Sequence, residues 1–404
     1  MATFGKKLPP PFPRKDERID SRTGGEAITY LDSEETPVLE SLKKRKDFDA
    51  LRFLRLINLP DLTRKENSPV KLVIDTIVSL PLFKDFDIAS IPETITTEYN
   101  FDLFDFPSDH PARRPTDTYF ITPERLLRTQ TTSMWMYYLL DPNIVKKLET
   151  RGWLGVLSYG KVYRKDEIDR KHSPIFHQID GLFLTRRSEK VITLDDLHGV
   201  LTNIVQSVFG PNIEARFLDD NFPYTHPSTQ MEIKFKGEWL EILGAGLARE
   251  TTLKNLNIDP QVYNGWAFGF GVERLAMQKM NIPDIRILWS DNPRITKQFT
   301  SVDSQYEEIS KYPTVTRDIS FIVNSDVVPN RFYEIVRELG KDLIEEVQLI
   351  DEYENEKKLG EGKKSYTFRI VYRSFARTLT NDEVSAVHHA IEHQTTEELR
   401  AVIR

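Results

Sequence analysis

GKVYRKDEIDRKHSPIFHQIDG, residues Gly160 to Gly181, is the stretch on which the reading of the fold turns. Val162 and Tyr163 close a short β-rich run, and Arg164 follows them. A loop dense in charge comes next, Lys165-Asp166-Glu167-Ile168-Asp169-Arg170-Lys171, and His172 opens a second run that carries Phe176, His177 and Gln178. Two strands joined by that loop would bring Arg164, His172 and Phe176 to one surface. An arginine keeps its charge and can grip a phosphate through two parallel N–H···O bonds. A phenyl ring beside it offers a stacking face for a purine. The pattern points to a nucleoside triphosphate on an antiparallel hairpin. Taken alone it is as compatible with a solvated hairpin holding one core Phe, because charge runs are usually wet surface.

The rest of the chain has to supply a frame for that hairpin. At 404 residues there is room for two or three domains, and 39% hydrophobic with 29% charged residues is a globular balance. No apolar run is long enough to span a bilayer, so no membrane partner is expected. The absence of cysteine removes disulfides, thiolate chemistry and cysteine-ligated zinc, and fits a reducing compartment. A net charge of −7 argues against sequence-blind DNA binding. It leaves tRNA open, since local patches and base stacking can hold RNA.

Residues 1–65 read as an N-terminal extension, weakly structured up to about residue 35, with Pro9, Pro10, Pro11 and Pro13. Asp16, Glu17, Asp20 and Glu26 make its start a poor mitochondrial presequence, or an already trimmed one. A helix is expected from Ser68 as N-cap with Pro69 in the first turn. Val70, Val73, Ile74, Ile77 and Val78 follow helical spacing, and Pro81 ends it. After a proline-rich charged loop, two strands should end at Arg128. Leu197, Val200, Leu201, Ile204, Val205 and Val208 mark an amphipathic helix. Strands near Glu214–Phe217, Thr229–Phe235 and Trp239–Leu243 are joined by short turns, so the sheet should be mainly antiparallel.

Gly265-Trp-Ala-Phe-Gly-Phe-Gly-Val-Glu-Arg274 is a strand running into a helix near Val272. The third glycine of a dinucleotide loop is replaced by Arg274, and no parallel β-α-β unit surrounds it, so that reading fails. Glycine lets the strand lie close to a ligand. Arg274, in the first helical turn, adds its charge to the positive helix end and suits an anion. An ion pair with a nearby acid is the plain alternative. Residues 297–309 read as a polar connector, and from 310 to 404 the order of elements is β-α-β-β-α-β, with a capping box at Thr380 and Glu383.

Arg164, His172-x-x-x-Phe176 and Gly269-x-Gly271-x-Glu273-Arg274 resemble motifs 2 and 3 of class II aminoacyl-tRNA synthetases. More narrowly, the chain resembles monomeric, mitochondrial-type phenylalanyl-tRNA synthetases. Phe106-Pro-Ser-Asp-His-Pro-Ala-Arg113, Phe176-His-Gln178, Phe222-Pro-Tyr-Thr-His-Pro-Ser228, Trp239-Leu-Glu-Ile-Leu-Gly244 and Gly265-Trp-Ala-Phe-Gly269 carry that likeness. Tyr312-Pro-Thr-Val-Thr-Arg-Asp-Ile-Ser-Phe321 and Arg377-Thr-Leu-Thr380 resemble the family's ferredoxin-fold anticodon-binding domain. The resemblance covers about residues 66–404. It implies an α+β chain: a class II catalytic domain at 66–296, its mainly antiparallel sheet flanked by helices, and a ferredoxin-like domain from 310.

The resemblance also implies roles. Arg164 and Arg274 would be the catalytic cations. Arg164 would hold the ATP α-phosphate, and His172 would lie near the β- and γ-phosphates. Phe176 and Arg274 would sandwich the adenine, and Glu241 would help hold Mg²⁺. Gln130, Thr132, Ser133, Gln178 and Asp180 would serve the polar end of phenylalanine, with Gln178 and Asp180 receiving its ammonium. Phe222, Tyr224, Ala267 and Phe268 would surround its ring. Arg373 and Arg377 are candidates for tRNA phosphate contacts, a surface ion pair being the alternative for each. The partners implied are tRNA-Phe and phenylalanine, the state a monomer, and the location the mitochondrial matrix. An apolar pocket separates phenylalanine poorly from a ring that merely gains a hydroxyl, so tyrosine is the expected error.

Where the family commonly shows Arg-Thr-His-Thr-Ser-Ala-His, this chain has Arg128-Thr-Gln130-Thr-Thr132-Ser133-Met134. Asp180 stands where Glu is usual, and Tyr224 where Phe is usual. These changes fall on the amino-acid side, while the ATP side is complete. Two rivals follow: a catalytic subunit of a heteromeric synthetase, and a non-catalytic paralogue that binds tRNA or nucleotide.

Overall fold

The computed structural model describes residues 12–165, 167, 169–308 and 312–404. The Pro9–Pro11 run, Asp166 and Ile168 of the charged loop, and residues 309–311 around the end of the expected connector lie outside the described residues.

Strands β1 (Arg14–Ile19), β2 (Glu26–Tyr30) and β3 (Asp87–Ser90) occupy one edge of a nine-stranded sheet. A separate three-stranded sheet holds β4 (Thr94–Thr96), β5 (Phe120–Thr122) and β6 (Arg125–Leu127). The long strands β7 (Trp153–Tyr163), β8 (Ile175–Arg186), β9 (Ala215–Asp220), β10 (Thr225–Phe235), β11 (Glu238–Ala248) and β12 (Tyr263–Gly271) complete the large sheet. Its spatial order is β1-β2-β3-β7-β8-β12-β11-β10-β9. Only the β2–β3 and β3–β7 pairs are parallel, so the expected antiparallel character holds across the half that carries the site. Residues 12–35 are more ordered than their composition suggested: β1 and β2 form a hairpin that extends this sheet.

Helices cover one face. Pro69–Val78 buries Val70, Val73, Ile74, Ile77 and Val78, as the helical spacing required, and Pro81 follows its end. Leu194–Phe209 buries Leu197, Leu201, Ile204, Val205 and Val208, and begins with a Thr193–Asp196 capping box. Both pack with the Val272–Lys279 helix over Trp266, Phe268 and Phe270. The opposite face holds a second cluster around Trp135, Tyr137 and Leu182, and Tyr224 packs against it. No helix among the described residues is long and apolar enough to cross a membrane.

The C-terminal unit has β13 (Val315–Asn324), β14 (Ile344–Glu354), β15 (Lys363–Tyr372) and β16 (Val402–Ile403) in the order β14-β15-β13-β16. Helices Pro329–Gly340 and Asn381–Leu399 complete the β-α-β-β-α-β arrangement of a ferredoxin-like fold. Thr380 caps the second helix and accepts from the Glu383 N–H, while Glu383 accepts from the Thr380 N–H. Thr380→Ala should therefore lower stability by about 1 kcal/mol in urea unfolding of the full chain. An unchanged midpoint would remove the cap from the account.

The polar connector is tied down more firmly than its sequence suggested. Phe299 and Tyr306 are buried in the helix-side core of the large sheet. Ion pairs then join the two units. Fully buried Glu345 meets Arg170 of the charged loop, Arg286 and Arg373. Arg55 pairs with Glu338 at 2.7 Å, and the Tyr119 hydroxyl donates to Glu334 at 2.8 Å. The charge run of the opening stretch is thus partly a docking surface for the C-terminal unit rather than only solvated loop.

Candidate active site

β7 and β8 pair in register from Trp153–Thr185 to Tyr163–Ile175, so the loop between them leaves from one end of the sheet. Arg164 is the first residue past β7. Its Nε donates to the Thr129 carbonyl at 3.1 Å, and its guanidinium lies 5.1 Å from the centre of the Phe176 ring. That places a cation on an aromatic face, an arrangement that prealigns both groups. His172 sits in the loop, three residues before the strand resumes at Ile175. Its Nδ1 stands 2.8 Å from Asp169, whose other oxygen accepts the His172 N–H at 2.7 Å.

Across the sheet, Gly271 ends β12 and the Val272–Lys279 helix begins. Arg274 projects from its first turn and donates to the Glu241 carbonyl on β11 at 3.0 Å. Arg164, His172, Phe176, Glu241 and Arg274, called from separate stretches of sequence, line one cavity of about 330 Å³. Gln178, Gly244 and Gly269 also line it.

The glycines have a steric reason. Gly244 and Gly269 pair on neighbouring strands. A Cβ on Gly244 would stand 2.4 Å from Cζ of Phe222, and one on Gly269 would stand 2.6 Å from Oδ1 of Asp180. Asp180 is buried and accepts from the hydroxyls of Thr131 and Thr132. Burial pushes its carboxyl up to about 6, while the two hydroxyls, Arg164 and Arg128 pull the other way. Phe222 and Tyr224 stack side by side with centroids 6.2 Å apart. Tyr224 also meets Phe104, Phe106 and Trp135 at 6.0, 6.0 and 6.1 Å.

Two family models match the chain: the class II core domain of tRNA synthetases, type F, over residues 57–299, and the ferredoxin-fold anticodon-binding domain over residues 310–404. The mitochondrial phenylalanine–tRNA ligase of Mus musculus is 38% identical over 349 residues, covering 77% of this chain and 73% of its own. The chloroplastic/mitochondrial enzyme of Arabidopsis thaliana is 36% identical over 320 residues, covering 77% and 71%. The chain belongs to the class II phenylalanine–tRNA ligase family.

The phenylalanine–tRNA ligase alpha subunit of Caldanaerobacter subterraneus is 40% identical but matches only 57% of this chain. In this ligase chain the anticodon-binding domain follows on the same polypeptide, which disfavours the heteromeric rival.

Several of the expected site residues have their own partners or neighbours in the structure. Phe268 does not face the cavity: its ring packs with Phe83, Trp266 and Phe270 in the helix-side core. Strand alternation puts neighbouring side chains on opposite faces, and Ala267 falls in the other cluster, with Trp135. Gln130 is buried and its amide donates to the Asn100 carbonyl at 3.0 Å. The Ser133 hydroxyl is buried with no partner among the described residues. Arg373 is held by Glu345 and Glu308, and Arg377 by Glu383.

Others escaped the sequence reading. Thr131 binds Asp180 through its hydroxyl and Gln178 through its N–H. His177 is fully buried; its Nδ1 is 2.6 Å from Glu273, and its Nε2 accepts from the Leu62 N–H at 3.0 Å. It clamps the glutamate next to Arg274 onto β8. The signal was available, since His177 flanks Phe176 and must point to the opposite face.

Proposed function

We propose that this chain is a mitochondrial phenylalanine–tRNA ligase acting as a monomer, and that the cavity between Arg164 and Arg274 is where ATP and phenylalanine react. A carboxylate oxygen of phenylalanine attacks the α-phosphorus of ATP, the bond to the bridging oxygen breaks, and pyrophosphate leaves. The attacking carboxylate is already ionised, so no general base is needed. The protein contributes alignment and charge. Arg164 opposes the charge that grows on the α-phosphate, Arg274 and Phe176 flank the base, and His172 faces the outer phosphates. The phenylalanyl group then passes to the terminal ribose of tRNA-Phe.

Mg²⁺ keeps most of its water and takes one or two carboxylates plus substrate phosphates. Glu241, the exposed carboxylate on the cavity wall, suits that demand, and no group of three metal-ligating side chains occurs among the described residues. When bound, the ion would draw charge from the phosphate oxygens.

The observation that carries this reading is the convergence of Arg164, Phe176 and Arg274 on one cavity from elements about a hundred residues apart. The deciding measurement is ATP–pyrophosphate exchange dependent on phenylalanine. Absence of exchange with the intact chain would leave a non-catalytic paralogue. A methyl group on Gly244 tests the ring wall. Gly244→Ala should push Phe222 aside and raise KM for phenylalanine roughly tenfold, with KM for ATP little moved. Equal changes in both constants would place Phe222 outside the amino-acid wall.

A further inference from the structure

The two walls of the base slot, Phe176 and Arg274, stand on strands that stop pairing just before they reach it. β8 and β12 keep register down to Gln178 opposite Gly271, where β12 runs into the Val272–Lys279 helix. Phe176 and Arg274 both lie past that last rung, so no ladder bond sets the distance between them. One buried pair does. The next β8 amide, the N–H of His177, donates to both carboxylate oxygens of Glu273 at 2.9 Å. A side chain thus satisfies a backbone donor where the partner strand has turned away. The imidazole completes the joint. Its Nε2 accepts from the Leu62 N–H at 3.0 Å, so the ring proton is on Nδ1, which donates to Oε1 of Glu273 at 2.6 Å. Asp61 stands 3.5 Å from Nε2, too far to compete, and accepts from the Thr63 hydroxyl instead. His177 and Glu273 are both buried, and the Trp289 ring lies 5.6 Å from the imidazole.

We propose that His177 and Glu273 are positioning residues for adenine: their joint sets the gap between the Phe176 ring and the Arg274 guanidinium. His177 sits between Phe176 and Gln178 in the chain, and Glu273 directly precedes Arg274. The joint therefore fixes the root of Arg274, while the Glu241 carbonyl holds its tip at 3.0 Å. The groups assigned to the phosphates are anchored elsewhere, Arg164 on the Thr129 carbonyl and His172 on Asp169. Cutting the joint should loosen the base slot and leave the phosphate end in place. The inference rests on the reading of Phe176 and Arg274 as the walls of that slot.

The test separates the two ends of ATP in phenylalanine-dependent exchange by the full chain. Glu273→Gln and His177→Gln should each raise KM for ATP about tenfold, the loss expected for one bond to a charged group, and move KM for pyrophosphate and phenylalanine by less than about twofold. AMP, which keeps the base and lacks the outer phosphates, should weaken as an inhibitor by the same factor as ATP. His177→Asn places an amide N–H near the position of Nδ1, so its KM for ATP should stay within about threefold of the wild type. Equal rises in every KM, or asparagine no better than glutamine, would overturn the proposal by making the pair merely structural. Nitrogen NMR of the histidine-labelled wild type needs no variant: His177 should be protonated on Nδ1 at neutral pH, and an Nε2-protonated ring would overturn the proposal as well. A wild-type chain with no exchange would instead overturn the ligase reading, and AMP affinity in the same variants would still judge the joint.

Discussion

Replacing Arg164 by alanine is expected to lower phenylalanine-dependent ATP–pyrophosphate exchange by about a thousandfold, the loss seen when a preorganised donor to a developing negative charge is removed. Its guanidinium is spent in the free protein on one carbonyl, that of Thr129, and on the face of Phe176. Neither contact holds the sheet together: β7 and β8 pair through eleven registered positions without it. Thermal stability should therefore stay near that of the wild type, within about 1 kcal/mol. Lysine at this position should recover little, because one ammonium cannot supply the two parallel bonds of the guanidinium fork. Exchange that survives Arg164→Ala at more than a tenth of the wild-type rate would move the reaction away from this cavity.

Asp180→Asn should separate function from stability. The buried carboxyl titrates near 6, above its ordinary value, so ionising it opposes folding. The folded protein therefore binds this proton more tightly than the unfolded chain. Stability from the protonated form is fully present below about pH 4, and is lost as pH rises through 6. Raising the carboxyl from its ordinary value to about 6 corresponds to roughly 3 kcal/mol at neutral pH. Asparagine is never ionised, so Tm at pH 7.5 should equal or exceed that of the wild type, with the difference shrinking by pH 4.5. KM for phenylalanine should meanwhile rise by about a hundredfold or more, because a buried polar partner for the ammonium loses its charge. A fall of several degrees in Tm at pH 7.5 would show that Asp180 is held for structure and not for substrate.

The site was legible to the extent that its residues are named by chemistry. Arg164, Phe176 and Arg274 stand out because few other roles need a permanent cation beside a ring, and Gly269 because glycine lets a strand lie close to a ligand. The clearance at Gly244 emerged only with the packing of Phe222. Phe268 shows where that reading erred. Ala267 and Phe268 are adjacent on one strand, so they could not both wall the same pocket, and the larger ring went to the helix-side core. The chosen face depends on which neighbours cover it, and Phe83 of that cover lies far away in the chain. Phe104 and Trp135 were missed for the same reason, since each is an ordinary core aromatic until Tyr224 is packed between them. Arg373 and the charged loop were read as surface because their common partner, Glu345, belongs to another unit of the fold.

Local sequence determined the strand and helix periods and the ionisable groups that a nucleotide chemistry requires. These depend on covalent geometry and side-chain type, which a short window contains. The packing of distant elements decided which sheet face became the cavity, which carboxylate was buried with two threonines, and which arginines were tied to Glu345. Those outcomes are set by burial and by charge partners that only long-range contacts bring together, and neither quantity exists until the chain has closed on itself.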